Sequence, residues 1–277
     1  MKLATLRTAE GTRAVRVEGD RYAELGAPHV GAWLSQEDWR ARAEAITPER
    51  PLAGADLAPV VPRPGKILCV GLNYRTHILE MGRELPRHPT LFAKFPEALI
   101  GPADPIALPP ESDAVDWEAE LAVVLGATVR RASEAEAAGA IAGFSVLNDI
   151  TTRDWQYRSP EWLQGKTFEG TTPFGPYLVT PDELPGGTRP ALDLSCSVDG
   201  EQVQKAGTDD LVFDPVQLVR YASTIVTLRP GDVIATGTPG GVGHARKPPR
   251  YLSDGVRVVT EISGLGRLEN VARDERP

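Results

Sequence analysis

The segment VDWEAELAVVLG places Glu118 and Glu120 two residues apart in an apolar, strand-like run. Side chains on a strand alternate between faces, so both carboxylates project one way while Trp117, Ala119, Leu121 and Val123 take the other. Neighbouring like charges raise the energy of both ionised forms, and relief comes from a cation or from water. A second run, AGFSVLND, ends in Asn148 and Asp149, just before a helix predicted over 151–157. A carboxylate at that position either caps the helix or faces a cleft. Three carboxylates from two strands match the all-oxygen preference of Mg²⁺, which keeps coordination positions free for water and substrate oxygens. Mn²⁺ and Ca²⁺ are its chemical substitutes, and a chelating 2-oxo acid would take two of the free positions. Zinc fits poorly, because none of the four histidines forms a His-Glu-x-x-His pair.

Other residues have suitable chemistry and spacing. His77 and Glu80 are three apart on a helix predicted over 73–81, so they share a face, either as a base with its orienting carboxylate or as a plain polar surface. Lys166, in QGKTFEG, is a compact cation able to reach a carboxylate or carbonyl oxygen, or else a solvated loop residue. Arg153 and Gln156 follow Asp149 on the predicted helix, and an arginine can clamp a carboxylate with two parallel hydrogen bonds. The glycines of TGTPGGVG allow backbone N–H groups to approach an anion, or simply make tight turns. No nucleotide-binding glycine motif and no Gly-x-Ser-x-Gly elbow is present.

The elements that must hold these residues are mostly strands. KILCVGL, ELAVVLG, AGFSVLND, YLVT, LDLSCSVDG, DVIATG and VRVVTEISGLG are short apolar runs separated by turn residues. Helices are predicted at SQEDWRARAEAI, 73–81, 133–140, 151–157 and 215–224, with Ser133 and Glu136 in capping-box spacing. The fold class expected is mainly β with α, an α+β arrangement. Residues 1–62 form a small N-terminal α+β subdomain and linker, and residues 63–277 the main domain.

A content of 41% hydrophobic and 25% charged residues supports a sizeable core. The net charge of −8 argues against nucleic acid or an anionic membrane as partner and in favour of small molecules, with local cations to receive any acidic ligand. Cys69 and Cys196 lack metal-site or disulfide spacing. The N-terminus has no signal-peptide profile, so a cytoplasmic location is expected.

The order NYRTHILE, DWEAELAVVLG, NDITTRDWQ, GKTFEG, TGTPGGVG resembles the C-terminal domain of the fumarylacetoacetate hydrolase family, from about Lys66 onward. The resemblance implies a domain of rolled mixed sheets, homodimers, and Glu118, Glu120 and Asp149 as metal ligands. It further implies a mobile lid whose His77 and Glu80 activate water, Lys166 as the group that polarises substrate, and Arg153, Gln156, Thr236 and Gly237 as substrate contacts. ARKPPRYL is similar to a subgroup of longer bacterial members with mixed chemistries. The reaction expected first is Mg²⁺-dependent hydrolysis of a carbon–carbon bond in a small β-diketo acid such as an acylpyruvate. Isomerisation, tautomerisation or decarboxylation of a related 2-oxo dicarboxylate, such as oxaloacetate, is the alternative. A catalytically silent binding protein is a third reading, against which the completeness of the residue set argues.

Overall fold

The computed structural model describes residues 1–275. An eleven-stranded mixed sheet runs in the order 50–51, 21–24, 11–18, 2–8, 172–179, 141–148, 119–125, 233–235, 67–71, 90–94, with 99–100 paired alongside 172–179. A five-stranded sheet follows the order 201–207, 193–198, 257–262, 266–274, 106–108. The fold is therefore mostly sheet with few helices, as the apolar runs predict. Within the large sheet Lys2 pairs with Val179 and Leu3 with Leu178, so the N-terminal strands extend the sheet that carries the central ones.

Strands 119–125 and 141–148 are buried along their whole length, which explains why they read as near-continuous apolar runs. One face carries Trp117, Ala119, Leu121 and Val123 into a core shared with Leu194, Cys196, Val258 and Leu268 of the five-stranded sheet. The other face carries Ala122 and Val124 into a core with Trp33 and Leu34 of the helix Val30–Leu34. Cys69 and Cys196 are free, buried thiols, and burial pushes Cys196 up to about 12.

Helix ends follow local chemistry. Ser133 and Glu136 form the predicted capping box before Glu134–Ala140, and Asp214 and Gln217 form another before Pro215–Ile225. The helix predicted at SQEDWRARAEAI shortens to Trp39–Glu44, and the one over 73–81 to Arg75–Glu80. The helix predicted over 151–157 keeps only Arg153–Gln156, because Thr151 and Thr152 pair instead with Asp116 and Val115. No helix among the described residues is long and apolar enough to cross a membrane.

Candidate active site

Strand register assembles the carboxylates. Ala119 lies opposite Asn148, which sets Glu118 beside Asp149, and the Asp149 amide donates to the Glu118 carbonyl at 2.8 Å. The continuous strand expected through VDWEAELAVVLG is broken here: Val115–Asp116 and Ala119–Leu125 are separate strands with Trp117 and Glu118 between them. The break is held by Asn148, whose side-chain oxygen accepts the Glu118 amide at 2.8 Å while its amide donates to Thr260 Oγ1 at 2.8 Å. Glu118, Glu120 and Asp149 are all buried, and each offers an oxygen within 4.8 Å of the others.

Three buried cations answer this charge. Lys166 Nζ lies 2.7 Å from Glu118 Oε2 and 2.9 Å from Asp149 Oδ2. Lys94 Nζ lies 2.6 Å from Asp149 Oδ1, and Arg153 Nη1 lies 2.7 Å from Glu118 Oε1. Asp149 is thus a charge partner and not a helix cap; Thr152 occupies the cap position without a side-chain bond. Burial disfavours the Asp149 carboxylate, but Lys166 and Lys94 outweigh it and hold the group below its ordinary value. Burial likewise opposes the charge on Lys166, yet Asp149 and Glu118 prevail and raise it, so this lysine is a cation and not a base.

Glu120 differs from the other two. Among the described residues the one hydrogen bond to its side chain comes from the Gly237 amide to Oε2, at 2.8 Å. Burial, and then the charges of Asp149 and Glu118, push its pKa well above the usual carboxylate range. Gly237 reaches it with φ +99, and a Cβ there would sit 2.8 Å from the Val70 carbonyl, so a side chain is excluded twice over. Thr236 is buried with both its amide and its hydroxyl 3.0 Å from the Leu121 carbonyl.

Asp116 and Lys94 belong to this cluster although no pattern singled them out. Asp116 accepts from Arg153 Nε at 2.8 Å and from the amides of Gly243 and His244 at 2.7 and 2.9 Å. The glycine-rich segment therefore does bring amides to anions, and those anions are the protein's own Asp116 and Glu120. The acidic spacing of Asp116, Glu118 and Glu120 was available as a signal; Lys94, one lysine ending an apolar run, offered almost none. Arg153 Nη1 also donates to Gln156 Oε1 at 2.9 Å, while Nη2 approaches Asp116 Oδ2 to 2.8 Å without hydrogen-bond alignment. A Cβ on Gly165 would meet the Gln156 amide nitrogen at 2.4 Å, so only glycine lets the Lys166 turn seat against the Arg153 helix.

His77 and Glu80 stand on Arg75–Glu80 and line one cavity of about 350 Å³ with Tyr74, Lys205, Asp210 and Gly240. No hydrogen bond joins His77 to Glu80 among the described residues. Asn73 anchors the segment, its side-chain amide donating to the Thr236 and Phe213 carbonyls at 2.8 and 3.1 Å. Asp210 accepts from the Thr76 amide and hydroxyl, both at 3.0 Å. Burial lowers the His77 pKa despite the opposing charges of Glu80 and Glu118, leaving a neutral imidazole near neutral pH.

This arrangement has counterparts among known proteins. A model of the fumarylacetoacetate (FAA) hydrolase C-terminal domain matches residues 66–273. The chain belongs to the fumarylacetoacetate hydrolase family. The mitochondrial oxaloacetate tautomerase Fahd2a of Rattus norvegicus is 46% identical over 215 residues, which span 77% of this chain and 68% of that protein. A solved structure of maleylpyruvate hydrolase from Sphingobium sp. SYK-6, in complex with manganese(II) ion and pyruvate, superposes with a TM-score of 0.82 at 31% identity over 100% of both chains. The structure of 5-carboxymethyl-2-hydroxymuconate delta-isomerase from Mycobacterium smegmatis gives 0.80 at 32% identity, again over 100% of both.

The family's relatives thus carry tautomerase, hydrolase and isomerase names on one fold. In this member a buried acidic triad sits against a fixed cation, with a neutral histidine on a short helix nearby. The donor set fits a hard divalent cation: all oxygen, buried, and with one carboxylate whose ionisation is unfavourable until positive charge arrives.

Proposed function

We propose that this chain is a divalent-cation-dependent enzyme that interconverts the keto and enol forms of a small 2-oxo dicarboxylic acid, oxaloacetate being the first candidate. The observation that carries the reading is the convergence of Glu118, Glu120 and Asp149 within 4.8 Å beside a buried, charged Lys166. Mg²⁺, or Mn²⁺ or Ca²⁺ in its place, would be held by those carboxylates and would supply Lewis-acid stabilisation of enolate charge. The identity of 46% to an oxaloacetate tautomerase supports tautomerisation over the hydrolysis expected first.

The chain's own residues account for the rest. Lys166 adds fixed positive charge where enolate charge develops. His77, neutral, takes a proton from carbon 3 of the keto acid; a proton then goes to the oxygen on carbon 2, and the composition is unchanged. Arg75–Glu80 covers the site and excludes water that would otherwise compete for these protons.

Hydrolysis of an acylpyruvate is the second reading, favoured by the placement of His77 and Glu80 on one cavity. There His77 would deprotonate a water that adds to the distal carbonyl, and the carbon–carbon bond would break to pyruvate and an acid. Mass spectrometry of products from oxaloacetate and acylpyruvates, with and without Mg²⁺, tests both. Metal-dependent loss of the enol absorbance of oxaloacetate at unchanged mass is expected. Pyruvate plus an acid would favour hydrolysis, pyruvate plus CO₂ decarboxylation, and metal-independent turnover would sink the site as drawn.

A further inference from the structure

The cavity beside Arg75–Glu80 contains a donor with nothing to bond. Tyr74 is 1% exposed, lines this cavity, and its hydroxyl has no hydrogen-bond partner among the described residues. Two polar neighbours on its own segment already have partners. The side-chain amide of Asn73 is bonded to the Thr236 and Phe213 carbonyls, and both Asp210 oxygens are taken by Thr76. One oxygen of Glu120 is taken by Gly237.

Buried hydroxyls are almost always satisfied, and phenylalanine would fill the same space without stranding a polar atom. Burial first, and then the charges of Glu120, Asp210 and Asp209, keep the phenol protonated at any working pH. The group is therefore a permanent donor and never a base. The same side chain lines the cavity that holds His77 and Glu80.

We propose that the Tyr74 hydroxyl is a substrate-contacting residue, donating a hydrogen bond to an anionic oxygen of the 2-oxo acid bound in the cavity beside His77. The assignment rests on the proposed function and names the partner that the hydroxyl lacks. A phenol donor there strengthens its bond as the substrate oxygen gains charge, so it favours the enolate over the keto form.

Tyr74→Phe removes the oxygen alone and tests this against a structural role. Oxalate, which mimics the shape and charge of a 2-oxo acid enolate but does not react, is the probe, titrated by calorimetry into Mg²⁺-loaded protein. The variant should bind oxalate about ten- to a hundredfold more weakly, the effect of losing one hydrogen bond to a charged group. Its Mg²⁺ affinity should stay within about threefold of wild type, and its melting temperature without ligand should be equal or higher, since an unpartnered hydroxyl contributes nothing to the fold. Unchanged oxalate affinity overturns the assignment. A lowered melting temperature with unchanged oxalate affinity also overturns it, by showing a structural partner for the hydroxyl. Failure of the wild-type protein to bind oxalate in the presence of Mg²⁺ defeats the proposed function itself and this inference with it.

Discussion

Glu120 and Asp149, at 1% and 0% exposure, sit at two central strands covered on both faces, and the charges around them are fixed by backbone register and buried ion pairs. His77 and Glu80 stand instead on a helix of 6 residues whose Leu79 is 56% exposed and which is followed by Met81, 40% exposed. So short a helix has no stability of its own. It persists through Tyr74 and Ile78, each 1% exposed, and through the hydrogen bonds of Asn73 and Asp210. One region is locked by buried ion pairs; the other is joined to the fold by two buried side chains and a few exposed polar contacts. In the proposed function the first region holds charge and the second moves protons.

His77→Ala is the largest test of that division. Turnover should fall by about 10²- to 10⁴-fold, the usual contribution of a positioned base, while Mg²⁺ affinity by calorimetry stays as it was. Full turnover in this variant would remove the helix from the chemistry. Asp149→Ala should act on the other side. It strips Lys94 of its carboxylate and Lys166 of one of two, and leaving a buried charge uncompensated costs about 3–5 kcal/mol, measurable by urea denaturation. A loss below about 1 kcal/mol would mean that water, not ion pairing, satisfies the cluster.

Gly240→Ala sharpens the contrast with less damage, since its Cβ would lie 2.9 Å from His77 Nδ1 and must displace the ring or the helix. Steady-state kinetics should show a loss of about ten- to a hundredfold, because misplacement by a fraction of an ångström erodes proton transfer. Metal binding should be untouched, and equal weakening of both would couple the two regions.

The smallest effect is on pH. Burial lowers the His77 pKa below the ordinary histidine value of 6.5, with Arg83 adding to the shift and Glu80 and Glu118 opposing it. The neutral base therefore survives acidification past the point where an exposed histidine gains its proton. The His77-dependent limb of kcat/KM should stay flat down to pH 6.5 and fall only below it. A His77-dependent fall centred above pH 6.5 would mean that the carboxylates outweigh burial at this ring.

Much of this was legible along the chain. Periodicity of two assigned Trp117, Ala119, Leu121 and Val123 to one buried face, and local capping chemistry placed Ser133 and Glu136 at a helix start. The glycines of TGTPGGVG announced amides available to anions, without saying which anions. Tertiary structure alone brought Lys94 to Asp149 across 55 residues and the Gly237 amide to Glu120 across 117. It also made Arg153, expected as a substrate contact on the predicted helix, a buried bridge between Asp116 and Glu118, and it broke the strand at Glu118. Sequence spacing reports which side chains share a face, because chain geometry repeats over a few residues. It is silent on which cation meets which carboxylate, because that depends on the register between strands distant in the chain and on the burial that makes each pairing obligatory.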